Sequence, residues 1–562
     1  MNYINVSANA QYTIRPDSRA GREEGMELTL KGIQDKKAWE AAGIALPSYD
    51  VEAVAAASRK NPMWVHFGIG NIFRIFLGGI CDRLLNEGLT DRGITCAETF
   101  DYDLVDMIYD PYDNLGLSVI LNNDGTREIR VLGSMTEAVR ADASRPECWA
   151  RLKEIFENPG LQMVSFTITE KGYALRGTDG NYFPFVAKDI ENGPEKPVGA
   201  MGIIAAMLAA RFAAGAAPLA LVSMDNCSQN GSRLRGSVLE MAGEWQKRGF
   251  LSAECVSWMS DESKVAFPWT MIDKITPRPA EQIADDLEKT GVARMQPVIT
   301  GKHTYIAPFI NAERAQYLVV EDSFPNGRPP LEKAGVYMTD RDTVSKSERM
   351  KVTVCLNPIH SALGPAGVML GYDLFSDVIV DPDLRKLAER VGYAEGMEVV
   401  PDPGILSPEA FIGECLNERF PNPYLGDTCL RLCVDISQGI SIRFGETIKS
   451  YCEKFGSAEK LTAIPLALAL WLRYILAADD AGRPYELAPD PLNRELTEKL
   501  SGIRVGAPET VGDTLRPILS NSVIFGTDLY EAGVGEKVEE IFTELTAGPG
   551  AVRSTIRKVL AD

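Results

Sequence analysis

Histidine is nearly absent: His66, His303 and His360 are the three in 562 residues, too far apart in sequence to form a metal-binding motif. The ten cysteines include no CxxC pair, and Cys429 with Cys433 has no histidine nearby to complete a zinc set. Scattered thiols beside apolar neighbours read as free cysteines of a reducing compartment. No basic run is long enough to track phosphates, and 78 acidic against 58 basic side chains give a net charge of -20, which points away from nucleic acid. A small anion remains compatible, because a local cluster of Lys and Arg can bind it inside an acidic protein. The longest apolar stretch, 201–222, is broken by Arg211 and a Gly-Ala-Ala-Pro segment. It predicts a buried helix over 201–213, a turn and a buried strand at Leu219–Ser223 rather than a membrane span. The opening MNYINVSANAQ lacks the basic and apolar parts of a signal peptide, so the expected location is the cytoplasm. SMDNCSQNGS (223–232) does not form a nucleophile elbow, and neither a fixed-period repeat nor a low-complexity tract occurs.

What is present is ordinary globular material, 45% apolar and 24% charged, in a chain long enough for two to four domains at roughly 100–200 residues each. Residues 1–60 read as an extension packed on the first domain, with short helices near Lys36–Ala42 and Val51–Ala57. From Trp64 the pattern alternates between strand and helix, with strands expected at WVHF, Gly93–Ala97, Leu161–Thr167, Leu219–Ser223 and Tyr317–Val320. Such alternation predicts a parallel sheet covered by helices, an α/β nucleotide-binding scaffold over 61–335. Beyond about residue 335 strand signals become rare, and helical runs such as Thr343–Leu356, Leu461–Ala478 and Val511–Leu519 predict a mostly α-helical second domain over 336–562.

Two short stretches carry chemistry. Gly68-Ile-Gly70-Asn71-Ile-Phe73-Arg74 follows the first expected strand, where glycines permit a tight turn and helix N–H groups approach a pyrophosphate; Arg74 would add a charge. The third glycine of the usual fingerprint is missing. Glu98 closes the second strand in the place of a carboxylate that grips a ribose hydroxyl and repels a 2'-phosphate, with Asp101 as competitor. The second stretch is Lys351-Val-Thr-Val-Cys-Leu-Asn357-Pro-Ile-His360, a lysine, an asparagine and a histidine among apolar residues. Polar groups there need partners or change protonation state. Each also has a plain structural reading: a snorkelling lysine, a turn asparagine, a satisfied core imidazole.

Together VHFGIGNIFR, FTITEKGY (166–173), SMDNCSQNG (223–231), FPWTMIDKITP (267–277), VVEDSFPNGRPP (319–330) and KVTVCLNPIHSAL resemble the polyol-specific long-chain dehydrogenases, the mannitol dehydrogenase family, over residues 64–445. The resemblance implies a Rossmann-type fold and metal-independent hydride transfer between NAD(H) and a sugar-derived alcohol or ketone. It places Lys351 as the proton-transferring group, Asn226 and Asn357 on the reacting oxygen, Asp273 and Glu170 on the proton's passage, and His360 on a neighbouring hydroxyl. The cofactor set is Gly68, Gly70, Asn71, Phe73, Arg74, Glu98 and Asp225, and no metal is implied. Chemistry agrees with this cast: negative charge grows on oxygen as hydride leaves, and a desolvated lysine has its pKa lowered towards useful values. One departure stands out. Lys351 precedes Asn357 by six residues where the family has five, and Pro358 follows; Asn357 capping a new helix would absorb the extra residue.

Further on, Asn422, Arg431 and Arg443 fall in the family's substrate-binding region, and Gly439 stands where the family has a lysine. The wording CLNPIHSAL with SQGISIRFGETIKSY looks most like the mannonate oxidoreductase branch. That branch implies a small anionic sugar acid, D-fructuronate reduced at C5 to D-mannonate, its carboxylate paired with a base such as Arg431 or Arg443. Neutral polyols or ketoses and tagaturonate are the competing substrates. A silent nucleotide-binding regulatory protein is the competing class. The long apolar C-terminal helices permit a monomer or a weakly associated dimer.

Overall fold

The computed structural model describes residues 25–561. The polar leader of the expected N-terminal extension lies outside the described residues. Six parallel strands form the central sheet: β1 (Trp64–Phe67), β2 (Ile94–Glu98), β3 (Met135–Arg140), β4 (Met163–Phe166), β5 (Leu219–Ser223) and β6 (Val265–Ala266). Their spatial order is β3-β2-β1-β4-β5-β6. This is the doubly wound dinucleotide-binding order, and it opens a ligand crevice where the direction of winding reverses, beyond the carboxyl ends of β1 and β4. The strands are short apolar runs because both faces are covered. Val65 and Phe67 enter one core with Leu152, Phe156 and Met207, while Trp64 enters the other with Phe76 and Ile80.

The sequence reading found four of these six strands and missed β3 and β6. It also missed a second, mixed sheet in which Ile44–Ala45, Arg127–Leu132, Gly116–Leu121 and Phe309–Glu313 lie side by side. The signal was available: Asn123-Asp124-Gly125, with Gly125 at φ +84°, turns the Gly116–Leu121/Arg127–Leu132 hairpin. A further small sheet pairs Thr270–Asp273 with Tyr317–Glu321 and Tyr337–Thr339. It delivers Asp273 to the edge of the second domain.

That second domain packs helices around one continuous core. One of its helices, Ala463–Tyr474, is apolar on every side except at Arg473 and accordingly buried along its whole length. The expected run Val511–Leu519 contracts to Arg516–Leu519, since Gly512 takes φ +43°, outside the right-handed helical region. The expected helix Thr343–Leu356 divides into α1 (Arg341–Met350) and a π-helical turn, Lys351–Cys355, before α2 (Asn357–Met369) begins. Among the described residues no helix is long and apolar enough to cross a membrane.

Arg211, the charge that interrupts the apolar stretch, explains itself by its partners. Its guanidinium donates to the carbonyls of Phe156, Asn158, Leu161, Ala217 and Pro218 at 2.6–3.0 Å, clamping the segments that feed β4 and β5. Arg211→Met leaves those buried acceptors without donors, and the expected loss of about 3 kcal/mol or more is read as a lowered denaturant midpoint.

Candidate functional site

The first wall of the crevice is the glycine loop after β1. Gly68 sits at φ +91°, and a Cβ there would lie 2.1 Å from the Thr167 carbonyl oxygen, so only glycine lets the loops after β1 and β4 touch. Gly70 faces open space at its Cβ position. The helix that follows begins at Asn71, widens into a π-turn over Phe73–Leu77 and continues as Gly78–Asn86; its first N–H groups point to the crevice end. The chain therefore offers a bare backbone cradle suited to a pyrophosphate.

Several residues expected to touch a cofactor are engaged elsewhere. Arg74 is buried and donates to the carbonyls of Ala307 (2.9 Å) and Pro308 (2.8 Å), tying the two sheets together, with a longer bond of 3.5 Å to Asn71 Oδ1 at the loop. Phe73 stacks on His66 at 4.1 Å between ring centres, a core contact. Glu98 accepts from the N–H groups of Thr99, Phe100 and Asp101 on one oxygen and of Ile69 on the other. Three donors crowd one oxygen and a single bond of 3.3 Å reaches the other, so Glu98 shapes the loop and keeps acceptor capacity on Oε2. Burial raises its pKa against those same N–H groups. Asp101 holds the Thr300 and Thr304 hydroxyls. Asp225 receives Ile168 N, Thr169 N and Tyr173 Oη, fixing the loop after β4. Asn71 borders the loop, half-exposed.

The second wall comes from the helical domain. Lys351 is 1% exposed, and its Nζ donates to Asn226 Oδ1 at 2.7 Å and to the Ile272 carbonyl at 2.8 Å. Burial pushes its pKa below the ordinary lysine value, against the pull of Asp273 and Glu348. Asp273, one residue beyond Ile272, pairs with Arg419 Nη1 at 2.6 Å, and Arg419 closes a fork on Glu313 with two bonds of 2.8 Å. Burial raises Asp273, but Arg419 and Lys351 outweigh it and hold the carboxyl below its usual range. Lys274 does not pair with Asp273; its Nζ donates to the Glu313 and Ala315 carbonyls, and burial brings it down to about 8.

The extra residue between Lys351 and Asn357 is absorbed by the π-turn, in which Leu356 N bonds the Lys351 carbonyl across five residues at 3.1 Å. The break falls one residue earlier than expected. Leu356 is the cap and Asn357 the first helical residue, with Pro358 next, so no capping bond claims the Asn357 amide. One turn along, His360 contacts Phe375 and Phe420, and its buried Nε2 has no hydrogen-bond partner. Burial, then the charges of Arg419, Arg443 and Arg431, push the imidazole down to about 3, so it is neutral at working pH.

The remaining candidates lie at the margin. Glu170 is exposed and paired with Arg233. Arg431 is exposed and paired with Asp427. Asn422 donates to the Leu121 carbonyl and caps Pro423–Leu425, so its amide is committed to the fold. Arg443 donates to Ser361 Oγ at 2.7 Å. Arg419, Glu313 and Glu348 had no assigned role in the sequence reading. Nothing local marks the first, which follows Asn417 and Glu418 in a mixed stretch; for the last the signal was a glutamate three residues before Lys351. Among the described residues no cluster of His, Cys, Asp and Glu could hold a metal ion.

Comparison with known proteins follows the same two-part division. The family model described as mannitol dehydrogenase Rossmann domain matches residues 62–333, and that described as mannitol dehydrogenase C-terminal domain matches 343–546. A D-mannonate oxidoreductase of Thermotoga maritima is 49% identical over 95% of this chain and 99% of its own length. A mannitol 2-dehydrogenase of Pyrenophora tritici-repentis is 31% identical over 85% of this chain and 79% of its own. Among solved structures, a D-sorbitol dehydrogenase in substrate-free form superposes with TM-score 0.75 at 24% identity, covering 92% of this chain and 98% of that one, a likeness of fold.

The Asp273–Arg419–Glu313 network spans the two domains, and its cation can be removed alone. Arg419→Met leaves two buried carboxylates unpaired, so a loss of about 3–5 kcal/mol in unfolding free energy is expected in denaturant titration.

Proposed function

Because the chain belongs to the mannitol dehydrogenase family, we propose that it is an NAD-dependent, metal-independent oxidoreductase that interconverts D-fructuronate and D-mannonate. The proton chemistry rests on one observation, the dehydrated Lys351 amine bonded to Asn226 and Ile272. The substrate follows the T. maritima relative, named D-mannonate oxidoreductase and similar over nearly the whole of both chains.

The glycine cradle fits a dinucleotide, with backbone of Gly68 and Gly70 and the helix N-terminus at Asn71 taking the pyrophosphate. Carboxylates of Glu98 and Asp101 at the end of β2 disfavour a 2'-phosphate, which favours NAD(H). When bound, NAD(H) supplies or accepts the hydride.

The protein's own part is proton transfer and alignment. A neutral Lys351 amine has two N–H bonds, and Asn226 Oδ1 and the Ile272 carbonyl accept both, leaving its lone pair to take the proton of a substrate hydroxyl. Protonated, the same nitrogen holds a third N–H for a ketone oxygen. With Asn226 Oδ1 turned to Lys351, the Asn226 NH₂ group is directed away from the lysine as a donor, and the uncommitted Asn357 amide is a second; both stabilise developing negative charge on the reacting oxygen. Neutral His360 presents Nε2 to an adjacent hydroxyl. Asp273 keeps the amine from losing its proton too readily, countering desolvation. The ten cysteines are all unpaired, which fits a cytoplasmic setting.

The test is NADH consumption by purified protein with D-fructuronate, D-tagaturonate and D-fructose supplied separately. Turnover of fructuronate above the other two is expected, and Lys351→Ala should lower kcat by about 10²–10⁴-fold; preference for another substrate, or an unimpaired variant, overturns the reading.

A second prediction concerns pH. Ketone reduction needs protonated Lys351, so its kcat/KM falls as pH rises through a pKa below the ordinary lysine value of 10.5, while mannonate oxidation rises across the same interval. Both limbs should vanish from the residual rates of Lys351→Ala.

A further inference from the structure

The interior guanidiniums near the sheet and the crevice have several acceptors each. Arg74 bonds two carbonyls, Arg211 five, and Arg419 two carboxylates. Arg443 differs. Among the described residues it makes one side-chain hydrogen bond, Nη1 to Ser361 Oγ at 2.7 Å, and no salt bridge. Burial lowers its pKa with no carboxylate acting against that shift. A guanidinium has five N–H donors in a fixed fork, so most of its capacity is unclaimed.

Its position is specific. Ser361 follows His360, and the charge of Arg443 reaches the His360 ring, whose Nε2 is itself buried and unpartnered. The guanidinium lies over the backbone of Gly439: a Cβ on that glycine would stand 2.4 Å from Arg443 Nε and 2.7 Å from Cζ. Gly439 is thus a space requirement, and any side chain there displaces the arginine head. Arg431, the other cation of this region, is exposed and already neutralised by Asp427. A partly dehydrated charge with a free planar fork is relieved by an anion of matching geometry, and a carboxylate accepts two parallel N–H bonds.

We propose that Arg443, seated on Gly439, receives the substrate carboxylate and selects a sugar acid over a neutral ketose. This rests on the fructuronate reading and names the residue pair behind its preference for an acid. The reacting carbon is held between Lys351 and the asparagines, and the carboxylate, at the other end of the carbon chain, lies beyond His360 on the Arg443 side.

The experiment compares kcat/KM for D-fructuronate and D-fructose in the wild type, Arg443→Gln, Arg443→Lys and Gly439→Ala, with thermal melting of each. Expected is a fall in the fructuronate-to-fructose ratio on the order of 100-fold in Arg443→Gln, mostly through KM for the acid. Arg443→Lys should recover part of it, because charge survives without the fork. Gly439→Ala should shift the ratio the same way by about tenfold with an unchanged melt, since only the flexible end of Arg443 must move. A ratio unchanged in the variants that fold, or equal losses on both substrates, overturns this inference alone if the wild type prefers fructuronate. A wild type that ignores fructuronate overturns the functional reading and this inference together.

Discussion

An amine withdrawn from water at a seam between two domains is the constraint around which this structure is arranged. Lys351 comes from the helical domain, while its acceptors, Asn226 and Ile272, come from the loop after β5 and the small sheet beside it. Neither domain could dehydrate the amine alone. The cost of that burial is moderated by the carboxylates behind it: Asp273, itself held by Arg419, and Glu348 act on the amine as opposite charges. Desolvation drives the lysine towards the neutral form, and Asp273 and Glu348 draw it back. A group that gives up and regains a proton in alternate directions of one reaction needs this balance, since either influence alone would fix it in one state.

The π-turn serves the same constraint through the backbone. An α-helix carried on from α1 would rotate each later side chain by one regular step, and six residues separate Lys351 from Asn357. Widening the turn to a five-residue bond takes up one residue. The non-helical Leu356, at φ -127° and ψ -66°, then restarts the chain as α2. Proline at the second position of the new helix is compatible with this, because the N–H it lacks would have had no intrahelical partner there. The irregularity is one of several in the helical domain, but here it sits between two groups that must meet at one oxygen atom.

What could be read from the sequence divides along physical lines. Apolar runs after glycine turns gave the parallel sheet, since strands buried on both faces leave a plain signature in β1, β4 and β5. The mixed sheet escaped because Arg127–Leu132 alternates between polar and apolar residues and its parallel partners are distant in sequence. Lys351, Asn226 and Asp273 were named from motifs, and the structure brings them together at hydrogen-bonding or ion-pairing range of one another's neighbours. Arg74 and Glu98 were assigned to a ligand from their places after the first and second strands, and Asp225 and Asn422 from the family resemblance. Their actual partners are backbone groups hundreds of residues away in some cases, which no local pattern encodes. Arg419 was passed over for the converse reason: its meaning lies wholly in Asp273 and Glu313, 146 and 106 residues earlier.

The acidic composition poses a last question, how a protein with a net charge of -20 accommodates an anionic sugar acid. Exposed charges are screened beyond about 8 Å at physiological ionic strength, so most of the negative surface has little influence inside the crevice. There the local inventory is different. Arg443 has no carboxylate partner, Lys351 shares Asp273 with Arg419, and the His360 imidazole feels three arginines as repulsive neighbours. Burial, reinforced by that repulsion, keeps His360 neutral, and a neutral imidazole can receive a hydroxyl proton as well as donate one. An arriving carboxylate would lessen the repulsion around His360 as it satisfies Arg443. Anion binding at one end of the site and hydroxyl recognition at its middle are therefore coupled through the same field, while the surface charge acts on solubility.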